Sequence, residues 1–320
     1  MQKAISFLAI IFIASTANAQ GCSDAGFCTL GSLKSNFDIE KKDTISETKE
    51  LKNTIGIGFS YGLGEDKNSN FNPFLIYNRK LGKLVELQTK LTSAFIKGKI
   101  ANVNYISDIY IAANVSVPIK DKKPKLQQHL NIVAGIKIPF STANFKNNNH
   151  PLPMAYQPSL ATIDIIVGIN YMVFGFEFNS AFQIPTAQIN KNTYFKETEQ
   201  RTFNDGKDSF ASTNLFKRKP DFLFRFGYVF HTKNYKWLFK PNMLNIVHLG
   251  QDTYVNMLNQ KQKISGSQGY TLNAALNITY QISKHHNLEL SAGTPLVYRK
   301  VRPDGLTRKV AVALEYHFNF

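Results

Sequence analysis

The chain has 320 residues, 43% of them hydrophobic, 12% aromatic and 19% charged, with a formal net charge of +16 at pH 7. Such a basic balance would suit nucleic acid, but cations scattered through turns of an exported chain exclude that partner in favour of anionic lipid or solute. Beyond an N-terminal leader no run reaches the roughly 20 apolar residues of a spanning helix, so residence in a bilayer would need a closed barrel.

Met1 to Ala19 holds Lys3, an apolar run from Ala4 to Ala14, and a small-residue site at Ala17 and Ala19. This is the pattern of a cleaved secretory signal, which leaves Gln20 as the first mature residue. Residues 20–53 are polar and do not alternate for long, which suits a periplasmic extension or partial plug. Cys22 and Cys28, the chain's 2 cysteines, have the spacing of one small disulfide loop in an oxidising compartment. A lipoprotein anchor at Cys22, or a two-cysteine metal or redox site, are the alternatives at that point.

From Thr54 the chain alternates. In a strand successive side chains point to opposite faces, so alternation predicts ribbons with one apolar and one polar side. Thr54 to Gly64 sets Ile55, Ile57, Phe59, Tyr61 and Leu63 against a stripe of glycine and serine, a wall that leaves clearance for something to approach. Further ribbons run from Asn72 to Arg79, Leu84 to Lys97, Tyr105 to Ile119, Leu126 to Phe140, Ala161 to Tyr171 and Phe174 to Ile184. Asp221 to Phe230 places a row of phenylalanines opposite Arg225, and Trp237 to Leu249 has the poorest parity in the chain. Gly269 to Ile282, Asn287 to Val297 and Thr307 to Phe320 complete the set, the last being apolar on one face to its final aromatic residue.

These ribbons make twelve strands, the even number a bacterial barrel requires, and alternate connections are short and long, with Pro185 to Pro220 the longest. The sequence therefore predicts an all-β fold, a transmembrane antiparallel up-and-down barrel over residues 54–320 behind a non-barrel N-terminal segment. With both ends in the periplasm, the long connections face the exterior of the cell.

The inward polar set includes Glu86, Lys90, Asp108 and His129, with Lys137, Asp164, Glu177 and Arg225 further along. Charges of both signs in a lumen suit a solute path, and equally suit paired ions that fill a barrel. The loop YRKVRPDGLTR carries Arg299, Arg302, Asp304 and Arg308, which would guard the outer mouth by gripping a carboxylate or phosphate. The alternative is a turn whose arginines pair with Asp304. No catalytic set, metal-ligand spacing or phosphate cradle stands out, so neither a cofactor nor an enzymatic role is expected.

Three stretches carry a resemblance: PLPMAYQPSLATID from Pro151 to Asp164, Phe216-Lys217-Arg218 at a loop-to-strand junction, and the last strand ending in Phe320. Together they resemble outer-membrane barrels of Bacteroidota. Those are similar to the outer-membrane proteins of the phenol-degradation meta-pathway and, more remotely, to the long-chain fatty-acid and hydrocarbon channels. Ala161 stands where that family's pattern S-L-G-T has glycine. The resemblance implies insertion by the barrel-assembly machinery, contact with outer-membrane lipid and lipopolysaccharide, and passive uptake of small hydrophobic or aromatic solutes. A non-conducting structural or surface-binding barrel is the rival expectation.

Overall fold

The computed structural model describes residues 51–64, 68–119, 128–196, 210–304 and 308–320. The signal segment, nearly all of the expected periplasmic extension and the Cys22/Cys28 pair lie outside the described residues. Within them the chain forms β1 (Asn53–Gly64), β2 (Ser69–Leu81), β3 (Val85–Lys97), β4 (Asn102–Val117), β5 (His129–Pro139) and β6 (Thr162–Val173). It continues with β7 (Phe176–Gln188), β8 (Asp221–Tyr228), β9 (Trp237–His248), β10 (Gly269–Gln281), β11 (His286–Val297) and β12 (Arg308–Asn319).

Every strand pairs antiparallel with its sequence neighbour, and β1 closes the ring against β12 from Thr54↔Asn319 to Gly64↔Arg308. The twelve-stranded up-and-down barrel is therefore present, and the β1–β12 ladder leaves neither the first nor the last strand as an open edge. Ile55, Ile57, Leu63 and Leu75 point outward and are exposed, while Gly56, Gly58, Phe74 and Ile76 on alternate positions are buried inward.

Leu51 and Phe320 mark one end, where the amides of Lys52 and Asn53 donate to Phe320 O at 3.1 and 2.9 Å. At this terminal end several connections are tight. Phe174 (φ 50°) and Gly175 (φ 81°) make a two-residue hairpin turn in the left-handed region. Phe174 was expected inside a strand; it is instead the first turn residue, and β7 starts at Phe176. The described parts of the long connections, 140–161, 189–196, 210–220 and 249–268, gather at the far end. Two small hairpins, Lys146–Asn147 with His150–Pro151 and Thr253–Val255 with Lys261–Lys263, fold there.

Candidate functional site

Barrel strands put one residue in two into the lumen, so the lumen's chemistry follows from those positions alone. Near the terminal end it is a polar mesh. Lys240 Nζ lies 3.0 Å from Glu177 Oε2, while Asn170 and Asn179 donate to Glu177 Oε1 at 3.0 and 3.1 Å. On the other arc, Asn242 donates to Asn277 at 2.8 Å and Asn277 to Ser291 Oγ at 2.6 Å. Glu289 sits directly opposite Glu315 across β11 and β12, and His317 Nε2 is 3.1 Å from Glu315.

Midway along, the arc from β4 to β9 turns apolar. Tyr110, Val133, Ile166, Leu223, Leu244 and Ile246 form one buried cluster inside the barrel. This explains the poor parity of β9: its inward positions carry Leu244 and Ile246, so both of its faces read as greasy. Above the cluster, Lys137 Nζ pairs with Asp164 Oδ2 at 3.1 Å and donates to Thr162 at 3.2 Å. Half of the lumen is thus packed like a core.

The remaining arc differs. Ala275, Asn277, Ser291, Gly293, Ala313 and Ser60 point inward, are small, and are only half-buried. They leave a lane beside the packed half. The glycine stripe of β1 does less to widen it than the sequence suggested. A Cβ on Gly58 would lie 2.7 Å from the Phe74 ring, and one on Gly56 would lie 2.9 Å from His317 Nδ1. Phe74 and His317 occupy that clearance, and Lys90 Nζ stacks 3.6 Å from the Phe74 ring centroid. At the far end the lane meets a split in the wall. The β11–β12 ladder stops at Gly293↔Ala311, although β11 runs on to Val297 and β12 begins at Arg308. Pro295 lies in the split, and proline has no N–H to extend a ladder.

The far mouth itself is filled. Every residue from Leu152 to Thr162 is buried, a segment that includes a single 3-10 turn at Met154–Tyr156. Tyr156 donates to Asn68 at 2.7 Å, Ser159 to Asp108 at 2.6 Å, and Gln157 ties the backbone at Phe145 and Leu152. Met154, Leu160 and Ala161 pack under Phe216 and Ile264 from the other long connections. The stretch is a plug made from the barrel's own loop.

Over the plug lies a cluster of buried charge. Arg218 pairs with Asp221 and, at 3.3 Å, with Asp304. Arg299 forks onto both Asp304 oxygens at 3.1 and 3.0 Å and donates to Ser267 O at 2.6 Å. His248 bridges Asp221 and Asp252. Burial alone would push the Asp304 carboxyl up, but Arg299 and Arg218 hold it far below the usual carboxylate range. Burial works against the Arg218 charge, yet Asp221 and Asp304 raise its pKa above the ordinary arginine value.

The residues singled out in the sequence therefore separate. Asp108, Lys137, Asp164 and Glu177 are buried in polar or ionic pairings on the packed arc, and Lys90 is buried over Phe74. Glu86 and Arg225 are half-buried and His129 is exposed at the terminal rim. At the far end Arg299 and Asp304 are buried against each other, Arg302 is half-buried, and Arg308 stands opposite Gly64. Sequence reasoning missed the Arg218–Asp221–His248–Asp252 set, for which the only trace is acid three or four residues after each base. His248 has both ring nitrogens committed to carboxylates, which leaves none to activate a nucleophile.

No family model matches the chain, and no curated protein matches it. Among solved structures, the COG4313 outer membrane channel from Pseudomonas putida F1 superposes with a TM-score of 0.54, covering 87% of this chain and all 100% of that one at 8% identity. The KdgM porin (TM-score 0.43, 83% and 99% covered, 7% identity) and the NanC porin (0.44, 84% and 100%, 8%) are more distant. What the chain shares with the first of these is the fold of an outer-membrane channel.

Proposed function

We propose that the protein is an outer-membrane channel through which small, predominantly apolar solutes pass without expenditure of energy. The observation that carries this reading is the lane of small half-buried side chains running beside a packed half-lumen. A barrel with a purely structural role has no need of one arc kept small from β10 to β1. Twelve strands fall between small barrels that fill completely and sixteen-stranded porins that hold a wide aqueous channel.

The plug closes the direct route at the far end, which faces the cell exterior in this reading. The split between β11 and β12 offers the alternative, a passage through the wall between lumen and outer leaflet. Exposed Leu296, Val297 and Val310 border it, which suits solutes that partition into lipid. The lane would carry them down to the polar mesh at the periplasmic mouth. A second reading, a non-conducting surface barrel, draws its support from the buried plug and charge cluster.

Two measurements on the full chain reconstituted in lipid separate the readings. Planar bilayers should give small discrete conductance steps, and liposomes should take up small aromatic solutes faster than sugars of equal size. Silence in the bilayer together with equal, background uptake of both solutes would leave the surface barrel standing.

A further inference from the structure

The connections that close the far end meet at one histidine. His248, the last residue of β9, has Nδ1 2.5 Å from Asp221 Oδ1 and Nε2 2.8 Å from Asp252 Oδ1. Ionised carboxylate oxygens can only accept, so two such contacts need a donor on both sides of the ring, and that is the imidazolium. A neutral imidazole donates once, and the second carboxylate would then be buried against a lone pair.

The surroundings are balanced around that proton. Asp221 faces the ring from β8, and Asp252 faces it from the connection that follows β9. Arg218, just before β8, holds Asp221, while Arg299 and Asp304 reach in from the 298–304 connection with Arg302 at the edge. Lys137 and Asp164, paired on β5 and β6, lie beyond Arg218. With the ring charged, Arg218, Arg299 and His248 offset Asp221, Asp252 and Asp304, and half-buried Arg302 lies nearer the edge. Without its proton the ring no longer offsets the two carboxylates that it separates, an expensive change in a low-dielectric site.

The same groups fasten the loops. Asp252 Oδ1 accepts from the Lys219 amide at 2.9 Å, and the Asp252 amide donates to Ser267 Oγ at 2.8 Å. Lys217 and Thr253 exchange backbone bonds at 2.8 and 3.0 Å, next to Phe216 on the plug. We propose that the His248 proton is a latch: while it is held, the far-end connections stay clamped over the plug, and its loss at alkaline pH releases them.

The sign follows from which state holds protons more tightly. Closure needs the ring proton to serve both carboxylates, whereas open, solvated loops do not, so it is the closed state that binds this proton. That contribution favours closure while the ring is protonated and is lost as pH rises through its titration. Asp304, held low, favours closure above the ordinary carboxylate range and fails only in strong acid. Closure is therefore firm from mildly acidic to neutral conditions and gives way on the alkaline side.

The latch rests on the channel reading only for its consequence, so its test does not depend on conduction. Hydrogen exchange at the Lys219 and Asp252 amides is followed in the full chain in lipid from about pH 6 to about pH 9, a span that brackets histidine titration. Protection, corrected for intrinsic exchange, should fall by about tenfold or more over that span, as expected of a local opening. His248→Gln should be poorly protected throughout and lose the pH dependence. Constant wild-type protection overturns the latch, and that measurement stands even if the variant does not fold. Loss of protection together with a silent bilayer and equal, background uptake of both solutes overturns the channel instead and leaves the latch in place.

Discussion

Lys137 and Asp164 have no exposed side-chain surface at all, which decides what they are worth. A buried ion pair adds little over well-packed apolar side chains, but removing one partner strands the other. Lys137→Ala should therefore cost about 3–5 kcal/mol, read from urea unfolding of the lipid-reconstituted barrel, while Lys137→Ala with Asp164→Asn should recover much of that loss. A full loss in the double variant would mean that packing, not charge, sets the cost. Ala161 illustrates a residue whose cost only the backbone explains. Its φ of 55° is in the left-handed region that favours glycine. An L-residue there costs roughly 1–2 kcal/mol. Alanine offsets part of this by restricting the unfolded chain, worth about 0.4–1 kcal/mol, and its methyl, fully buried under Phe216, adds about 0.8 kcal/mol. The terms nearly cancel, so Ala161→Gly should shift stability by less than about 1 kcal/mol, whereas a β-branched valine at the same φ should be strongly destabilising.

At the scale of elements, β8 tests the two environments side by side. Leu223 points into the buried lumen cluster and Phe222 points out, with its ring 4.9 Å from that of Phe182. Leu223→Ala opens a cavity with nothing to fill it and should cost about 2–5 kcal/mol. Phe222→Ala exchanges a ring contact for lipid, a loss nearer 0.5–1.5 kcal/mol for the aromatic pair. Equal costs in the same unfolding measurement would argue against a packed half-lumen. The strands themselves were legible because alternation is a local property. Gly269–Gln281 and Arg308–Asn319 read clearly since their inward positions are polar or small. Trp237–His248 did not, because Leu244 and Ile246 face partners on β4 to β8 that no local pattern can announce. The same limit hid the partners that Asp304 meets: Arg218 and Asp252 come from the connections before β8 and after β9, His248 from the end of β9, and they join only in the folded mouth.

For the whole molecule, an even strand count and the sorting of short and long connections were enough to anticipate a closed barrel. They could not tell an open lumen from a filled one, since parity assigns a side chain to the inside without saying what lies across from it. Whether solute leaves through the mouth or the wall is decided by the plug. Replacing residues 152–160 by a short glycine–serine linker removes Met154, Tyr156 and the Ser159–Asp108 bond, while the barrel ladders from β1 to β12 are untouched. The far mouth should then open to water beside the small-residue lane. Conductance in planar bilayers should rise on the order of several-fold, toward that of barrels with a free lumen. Sugars excluded by the intact chain should swell liposomes, and uptake of small aromatic solutes should change little, because their route through the split between β11 and β12 does not cross the plug. If aromatic uptake rose in step with that of sugars, the mouth would be the route for both, and the wall passage would have no role.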